Sequence, residues 1–100
     1  MSDPLYIHNF KSNEIKEYLQ EDDRIIIPVG SVEQHGKHAP LGTDSFVAQK
    51  ISEDVSAEEN VMVCSPVWFA WSPNHLGLPG TTRVDSQVLI DFGVFFYQIL

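Results

Sequence analysis

One cysteine in a hundred residues, Cys64, leaves no partner for an intramolecular disulfide. It lies in the apolar run Val61-Met-Val-Cys64, where a buried, inert thiol is expected rather than a nucleophile. Basic residues are also scarce: six Lys and Arg stand against fourteen Asp and Glu, a formal net charge of −8. Phosphate contacts need clustered Lys and Arg, so a nucleic-acid surface is excluded. The acidity is concentrated in Glu21-Asp22-Asp23 and Glu58-Glu59, which read as solvated loop charges. No apolar run is long enough to span a bilayer and no secretory signal pattern is recognisable, so no membrane partner is expected. A cytoplasmic protein is the expectation. Internal repeats and low-complexity stretches are absent too.

What is present is ordinary globular material, 43% hydrophobic and 20% charged, enough for one small domain and too little for two. Residues 1–10 read as a polar lead-in in which Leu5, Tyr6, Ile7 and Phe10 are able to pack. Ser12 or Asn13 can cap a short helix with Ile15, Tyr18 and Leu19 on one face. Arg24 to Val29 is a continuously apolar strand, the pattern of a strand buried on both faces of a sheet. Thr43 or Asp44 is placed to cap a helix to about Ala57, with Phe46, Val47, Ile51 and Val55 on one stripe. Glu58-Glu-Asn60 is a turn, and Val61 to Pro66 a second buried strand. Residues 68–80 form an irregular loop, and Asp85 or Ser86 begins a third helix. This alternation argues for α/β architecture with a parallel sheet.

Chemistry concentrates between Pro28 and Asp44. Glu33, His35, His38 and Asp44 fall on a segment punctuated by Gly36, Pro40 and Gly42, breakers that prevent a regular helix and let side chains be aimed individually. Two carboxylates and two imidazoles after a buried strand suit a divalent cation, which offsets the cost of desolvating each charge. The bland alternative is a polar loop whose side chains hold turns. In open parallel sheets, ligands gather outside the carboxyl ends of strands. Both conspicuous loops, 31–44 and 68–80, leave such ends, which would bring His75 towards Glu33, His35 and Asp44. His75 is otherwise a core histidine bonded to backbone. Trp68 and Trp71 are packing residues or a wall for a flat substrate.

The stretch Pro28-Val-Gly-Ser-Val-Glu-Gln-His-Gly-Lys-His-Ala-Pro-Leu-Gly-Thr-Asp44 resembles the signature of the creatininase (creatinine amidohydrolase) family, P-x-G-S/A-x-E-Q-H-G-x-H-L-P-L-x-T-D. Ala39 replaces the usual leucine, a change of packing rather than chemistry. Trp71-Ser-Pro-Asn-His-Leu-Gly-Leu-Pro-Gly-Thr81 is similar to the family's S-x-x-H-x-x-F-P-G-T segment, with Leu78 in place of phenylalanine. Two long motifs in the right order make a specific match, covering the front part of the family domain.

The resemblance implies a three-layer α/β/α sandwich and a site of two divalent ions, zinc or manganese. Asp44 would bridge the ions, Glu33 bind one and His35 the other, with His75 and His38 as candidate catalytic groups. Such ions lower the pKa of a shared water and polarise the carbonyl under attack, so the implied reaction is hydrolysis of a carbon–nitrogen bond. The substrate would be a small amide, lactam or formamide, and the full-length member a homo-oligomer. Family members extend into a segment of the type N-G-H-x-x-N that supplies further ligands and is absent here. The chain is therefore expected to be the N-terminal part of a single metallohydrolase domain, residues 1–100, and inactive alone. The alternatives are a truncated, inactive module, a subunit completed by a second chain, and a mononuclear site using Glu33, His35 and Asp44.

Overall fold

The computed structural model describes residues 3–70, 79–82 and 84–96, the side chains of 94–96 aside. Its centre is β3 (Met62–Val63), inside the run Val61, Met62, Val63 and Cys64, where Val63 is 0% exposed. Both edges of β3 carry a parallel partner. Leu5 and Tyr6 of β1 (Leu5–Tyr6) pair with Met62 and Val63, and so do Ile25 and Ile26 of β2 (Ile25–Ile26). The order β1-β3-β2 makes an open parallel sheet, as the α/β pattern predicts. Pairing on the β2 side continues through Val67 N–H to the Pro28 carbonyl at 2.9 Å and Gly30 N–H to the Val67 carbonyl at 2.8 Å. The chain segments after β2 and β3 therefore leave the same end of the sheet.

β1 departs from the sequence reading, which made residues 1–10 a polar lead-in. Two apolar residues before a 3-10 turn (Ile7–Asn9) give no measurable alternation, yet β3 supplies them a ladder. β2 is shorter than expected and only half-buried, and beyond its end Ile27 and Val29 are 43% and 54% exposed. An edge position is the reason: among the described residues no strand lies beyond it.

α1 (Ser12–Leu19) starts at the position proposed for its cap, and the cap falls on Lys11, whose N–H donates to the Glu14 carboxylate at 2.8 Å. Tyr18 ties this helix to the sheet. Its hydroxyl donates to the Arg24 carbonyl at 2.8 Å and accepts the Met62 N–H at 3.0 Å.

α2 (Thr43–Glu59) has the expected extent but no side-chain cap: Gly42 is the N-cap, and Asp44 lies within the first turn. Asn60 closes the helix in the left-handed region, φ 56°, with its N–H on the Ser56 carbonyl. The buried face is also not the expected one. Ser45, Ser52, Ser56 and Ala57 are buried, whereas Phe46, Val47, Ile51 and Val55 point outward, Ile51 being 59% exposed. Small residues win because the helix lies close against its neighbours. A Cβ added to Gly30 would sit 2.4 Å from Ser45 Cα. The buried hydroxyls are satisfied: Ser45 donates to the Ser31 carbonyl, Ser52 to that of Ala48, and Ser56 accepts the Leu5 N–H.

α3 (Ser86–Phe96) begins where expected, with Asp85 Oδ1 accepting the Gln87 N–H at 3.0 Å. It faces the side of the sheet opposite α2 across an apolar cavity of about 570 Å³, lined by Ile7, Ile25, Cys64, Val88, Leu89 and Phe92 among others. Helix, sheet and helix make the expected α/β/α order. No helix among the described residues is long and apolar enough to cross a membrane.

Candidate metal centre

Glu33, His35 and Asp44 come together at the carboxyl end of β2. One ligand atom from each lies within 4.8 Å of the others. The loop carries Glu33 and His35, and the first turn of α2 delivers Asp44 from the opposite side. Gly30 makes this approach possible, because any side chain there would collide with the Ser45 backbone.

Hydrogen bonds fix Asp44 and His35. Ser31 Oγ donates to Asp44 Oδ2 at 2.9 Å, and His35 Nε2 lies 3.3 Å from Asp44 Oδ1. The other ring nitrogen, His35 Nδ1, lies 2.9 Å from the Glu33 carbonyl oxygen. A carbonyl accepts only, so Nδ1 carries a hydrogen and donates. In the neutral ring, the Nε2 lone pair then faces a carboxylate oxygen, acceptor against acceptor. A proton on Nε2 or a cation between the groups resolves that conflict.

The acid–base behaviour agrees. The His35 pKa is raised, first by the bond to the Glu33 carbonyl and further by Asp44, against partial burial. Asp44 is held below the usual carboxylate range, first by the Ser31 hydroxyl, then by Glu33 and His35, with burial opposing. Two carboxylates and one imidazole, half-buried together, are a donor set that fits a hard or borderline divalent cation.

The end of the second motif and the residue after it meet the first motif. Thr82 N–H donates to the Val32 carbonyl at 2.8 Å, and Thr81 Oγ1 accepts the Gln34 N–H at 3.0 Å. Gly80 packs on Leu41. His75 and Trp71 lie outside the described residues. His38 is exposed, folds over Gly36, and is not one of the three converging groups. Trp68 stands edge-on to Phe46 with ring centroids 5.7 Å apart and also lines the apolar cavity. Cys64 is buried, and burial raises its thiol pKa, in keeping with an inert residue. Ser31 and Thr81 stood in the two motifs with no role assigned; for Ser31, two residues before Glu33, a hydroxyl near an expected ligand was the available signal, and for Thr81 there was none.

The family model described as creatinine amidohydrolase matches residues 8–94. The chain is 38% identical over 89 residues to 3-dehydro-scyllo-inosose hydrolase of Thermotoga maritima, a match covering 88% of this chain and 29% of the relative. It is 37% identical over 71 residues to mycofactocin precursor peptide peptidase of Mycolicibacterium smegmatis, covering 65% and 29%. The chain thus spans less than a third of the curated relatives it matches. Among solved structures, a creatinine amidohydrolase (creatininase) superposes with a TM-score of 0.86 at 20% identity, covering 96% of this chain and 39% of that one. Two other creatininase structures, a Zn-Zn mutant form and an Mn form, align at TM-scores of 0.81 and 0.77, each at 22% identity. They cover 91% and 86% of this chain and 38% and 36% of theirs.

Proposed function

The chain belongs to the creatininase (creatinine amidohydrolase) family, and from that premise we propose that it carries the first half of a divalent-metal hydrolase site. Glu33, His35 and Asp44 are the proposed ligands, and the convergence of their donor atoms within 4.8 Å is the observation that carries the reading. Zinc or manganese suits mixed carboxylate and imidazole ligands, and both occur in the creatininase forms that share the fold. When bound, such ions lower the pKa of coordinated water and polarise a carbonyl.

The chain's own residues prepare for this. The Glu33 carbonyl holds the His35 Nδ1–H, which leaves Nε2 as the donor. Ser31 occupies Asp44 Oδ2, orienting the carboxylate so that Oδ1 faces Nε2. Asp44 would be the ligand shared between two ions, since a carboxylate has more than one lone pair to offer. His75 and His38 are the proposed catalytic groups, and the proposed reaction is hydrolysis of a carbon–nitrogen bond in a small amide-type substrate. The relatives' names point to different substrates: creatinine, an inosose and a precursor peptide.

The chain's share of its relatives favours a second reading beside the first. A chain spanning 29% of a hydrolase supplies part of a site, so alone it is inactive or is completed by further protein. Residues 1–100 then form the N-terminal part of one domain.

The test is metal content by mass spectrometry after incubation with Mn²⁺ or Zn²⁺, followed by assays on creatinine, an inosose and a peptide. Chelator-reversible binding that Asp44→Asn abolishes, with no turnover by this chain alone, is the expected result. A parent chain that binds neither ion overturns the metal-centre reading. Turnover of the inosose alone by a completed enzyme overturns carbon–nitrogen specificity.

A further inference from the structure

We propose that Thr81 is a positioning residue for the metal centre: its hydroxyl locks the peptide that carries Glu33 and, through that peptide, orients His35. The inference rests on the metal-centre reading and adds a residue to it from the second motif.

Both peptide planes flanking Glu33 are held on both sides. In the first, the Val32 carbonyl accepts from Thr82 N–H at 2.8 Å, and the Glu33 N–H donates to the Leu41 carbonyl at 3.1 Å. In the second, the Glu33 carbonyl accepts from His35 Nδ1–H at 2.9 Å, and the Gln34 N–H donates to Thr81 Oγ1 at 3.0 Å. Main-chain atoms of Thr82 and Leu41 supply the outside restraints on the first plane. On the second, one restraint comes from a proposed ligand itself and the other from Thr81.

The consequence follows from geometry. Without the Thr81 acceptor, the Glu33–Gln34 plane loses one of its hydrogen bonds and can rotate further about the Glu33 and Gln34 backbone bonds. Rotation swings the Glu33 carbonyl, the very group that holds His35 Nδ1–H and directs Nε2 at Asp44. One hydroxyl therefore governs two proposed ligands. The site needs this help because the segment has no regular secondary structure to fix it, apart from isolated bridges such as Val32 with Thr82. Threonine is well fitted to this role because its β-branched side chain is stiff at χ1, so the hydroxyl is presented in few orientations.

Thr81→Val keeps the shape and removes the acceptor, whereas Thr81→Ser keeps the acceptor. Three quantities are to be read on this chain: Mn²⁺ affinity by chelator competition, hydrogen exchange of the Gln34 amide, and ¹⁵N shifts of the His35 ring. Valine is expected to weaken Mn²⁺ binding about tenfold, the scale of losing an outer hydrogen-bond partner of a ligand. It should also speed Gln34 exchange and mix the His35 tautomers, while serine stays close to the parent in all three. Thr81→Ala gives the same reading should valine disturb the turn after Gly80. Valine at parental affinity and exchange, or serine losing as much as valine, overturns the proposal. Gln34 exchange and the His35 ring shifts need no metal. Their change in a chain that never binds Mn²⁺ would sink the metal-centre reading and leave the Thr81 lock standing.

Discussion

Asp22, just after α1, and Asp44, in the first turn of α2, are both carboxylates at a helix end, and they meet opposite surroundings. Asp22, in the turn between α1 and β2, faces a built-in cation. Arg24 Nε and Nη2 reach its oxygens at 3.0 and 2.9 Å, and Arg24 N–H adds a third bond at 2.9 Å. That arginine brings Asp22 down to about 2. Asp44 shares its space with Glu33 and a single imidazole, whose Nε2 lies 3.3 Å from Oδ1. The turn carries its own permanent cation, whereas the imidazole beside Asp44 is a group that titrates. Acidity alone therefore marks nothing; what distinguishes the candidate metal centre is clustered carboxylate set beside a titratable imidazole in place of an arginine.

The strongest way to break this contrast touches no charge at all. Gly30→Ala would place a Cβ 2.4 Å from Ser45 Cα and 2.6 Å from Ser45 N, backbone atoms that move only with α2. A loss on the order of 3 kcal/mol is expected in urea unfolding, with metal affinity falling as Asp44 is pushed away. Parental stability in this variant would show that loop and helix have room to spare. The Asp22 turn should survive it untouched.

Asp44→Asn comes next and acts on binding more than on folding. Asparagine keeps an acceptor for Ser31 but loses the charge, so Mn²⁺ affinity should fall more than about 100-fold, beyond the loss of an outer partner. The metal-free chain should lose only the stabilisation that the lowered Asp44 pKa represents, a smaller effect than the loss of binding. Glu33→Gln should lose less, since glutamate is assigned to one ion only. Calorimetric titration of the two variants checks the order, and an equal, small loss in both would sink the bridging role of Asp44.

A pH series sharpens the contrast further. His35 has a raised folded pKa, so its contribution to metal-free stability is full below about 6.5 and fades as pH rises through the folded value. Asp44 has a lowered one, so its contribution is present above about 3.8 and fades as pH falls through the folded value. Thermal melts of the metal-free chain should weaken slightly on the alkaline side. Mn²⁺ binding should strengthen over the same range, because protonated imidazole has no lone pair to offer. Parallel trends would show that Nε2 is not a ligand.

The smallest effect belongs to Asp22→Asn. Metal affinity should be unchanged. The variant should lose only a stabilisation that is present above pH 3.8 and disappears as pH falls through about 2, visible as a flatter acid limb in melting temperature. A change in metal binding would mean that the two clusters are coupled.

Much of this arrangement was legible in the residues alone. The three converging groups stood in one breaker-rich segment, and the limits of α2 followed from its periodicity and from the turn residues ending at Asn60. The orientation of α2 was not legible. Periodicity shows that a helix has two faces, but Ser45, Ser52 and Ser56 turn inward because of how closely the backbones approach, a tertiary distance that no local pattern encodes. β1 escaped because two residues form a strand only when a partner is already there. The role of Ser31 was hidden in the same way, since its hydrogen bond spans the loop to Asp44.

The strand order has a kinetic consequence. β3 pairs with both β1 and β2, and those two pair with each other nowhere among the described residues. During synthesis, β1 and β2 therefore wait for Met62 and Val63, the partner that both share. Every ladder in the sheet closes a long loop, an entropic cost met before any contact rewards it. Until then, the apolar Ile25-Ile-Ile27 stretch is exposed to whatever surrounds the nascent chain, and productive folding is a race between the arrival of β3 and misplaced association.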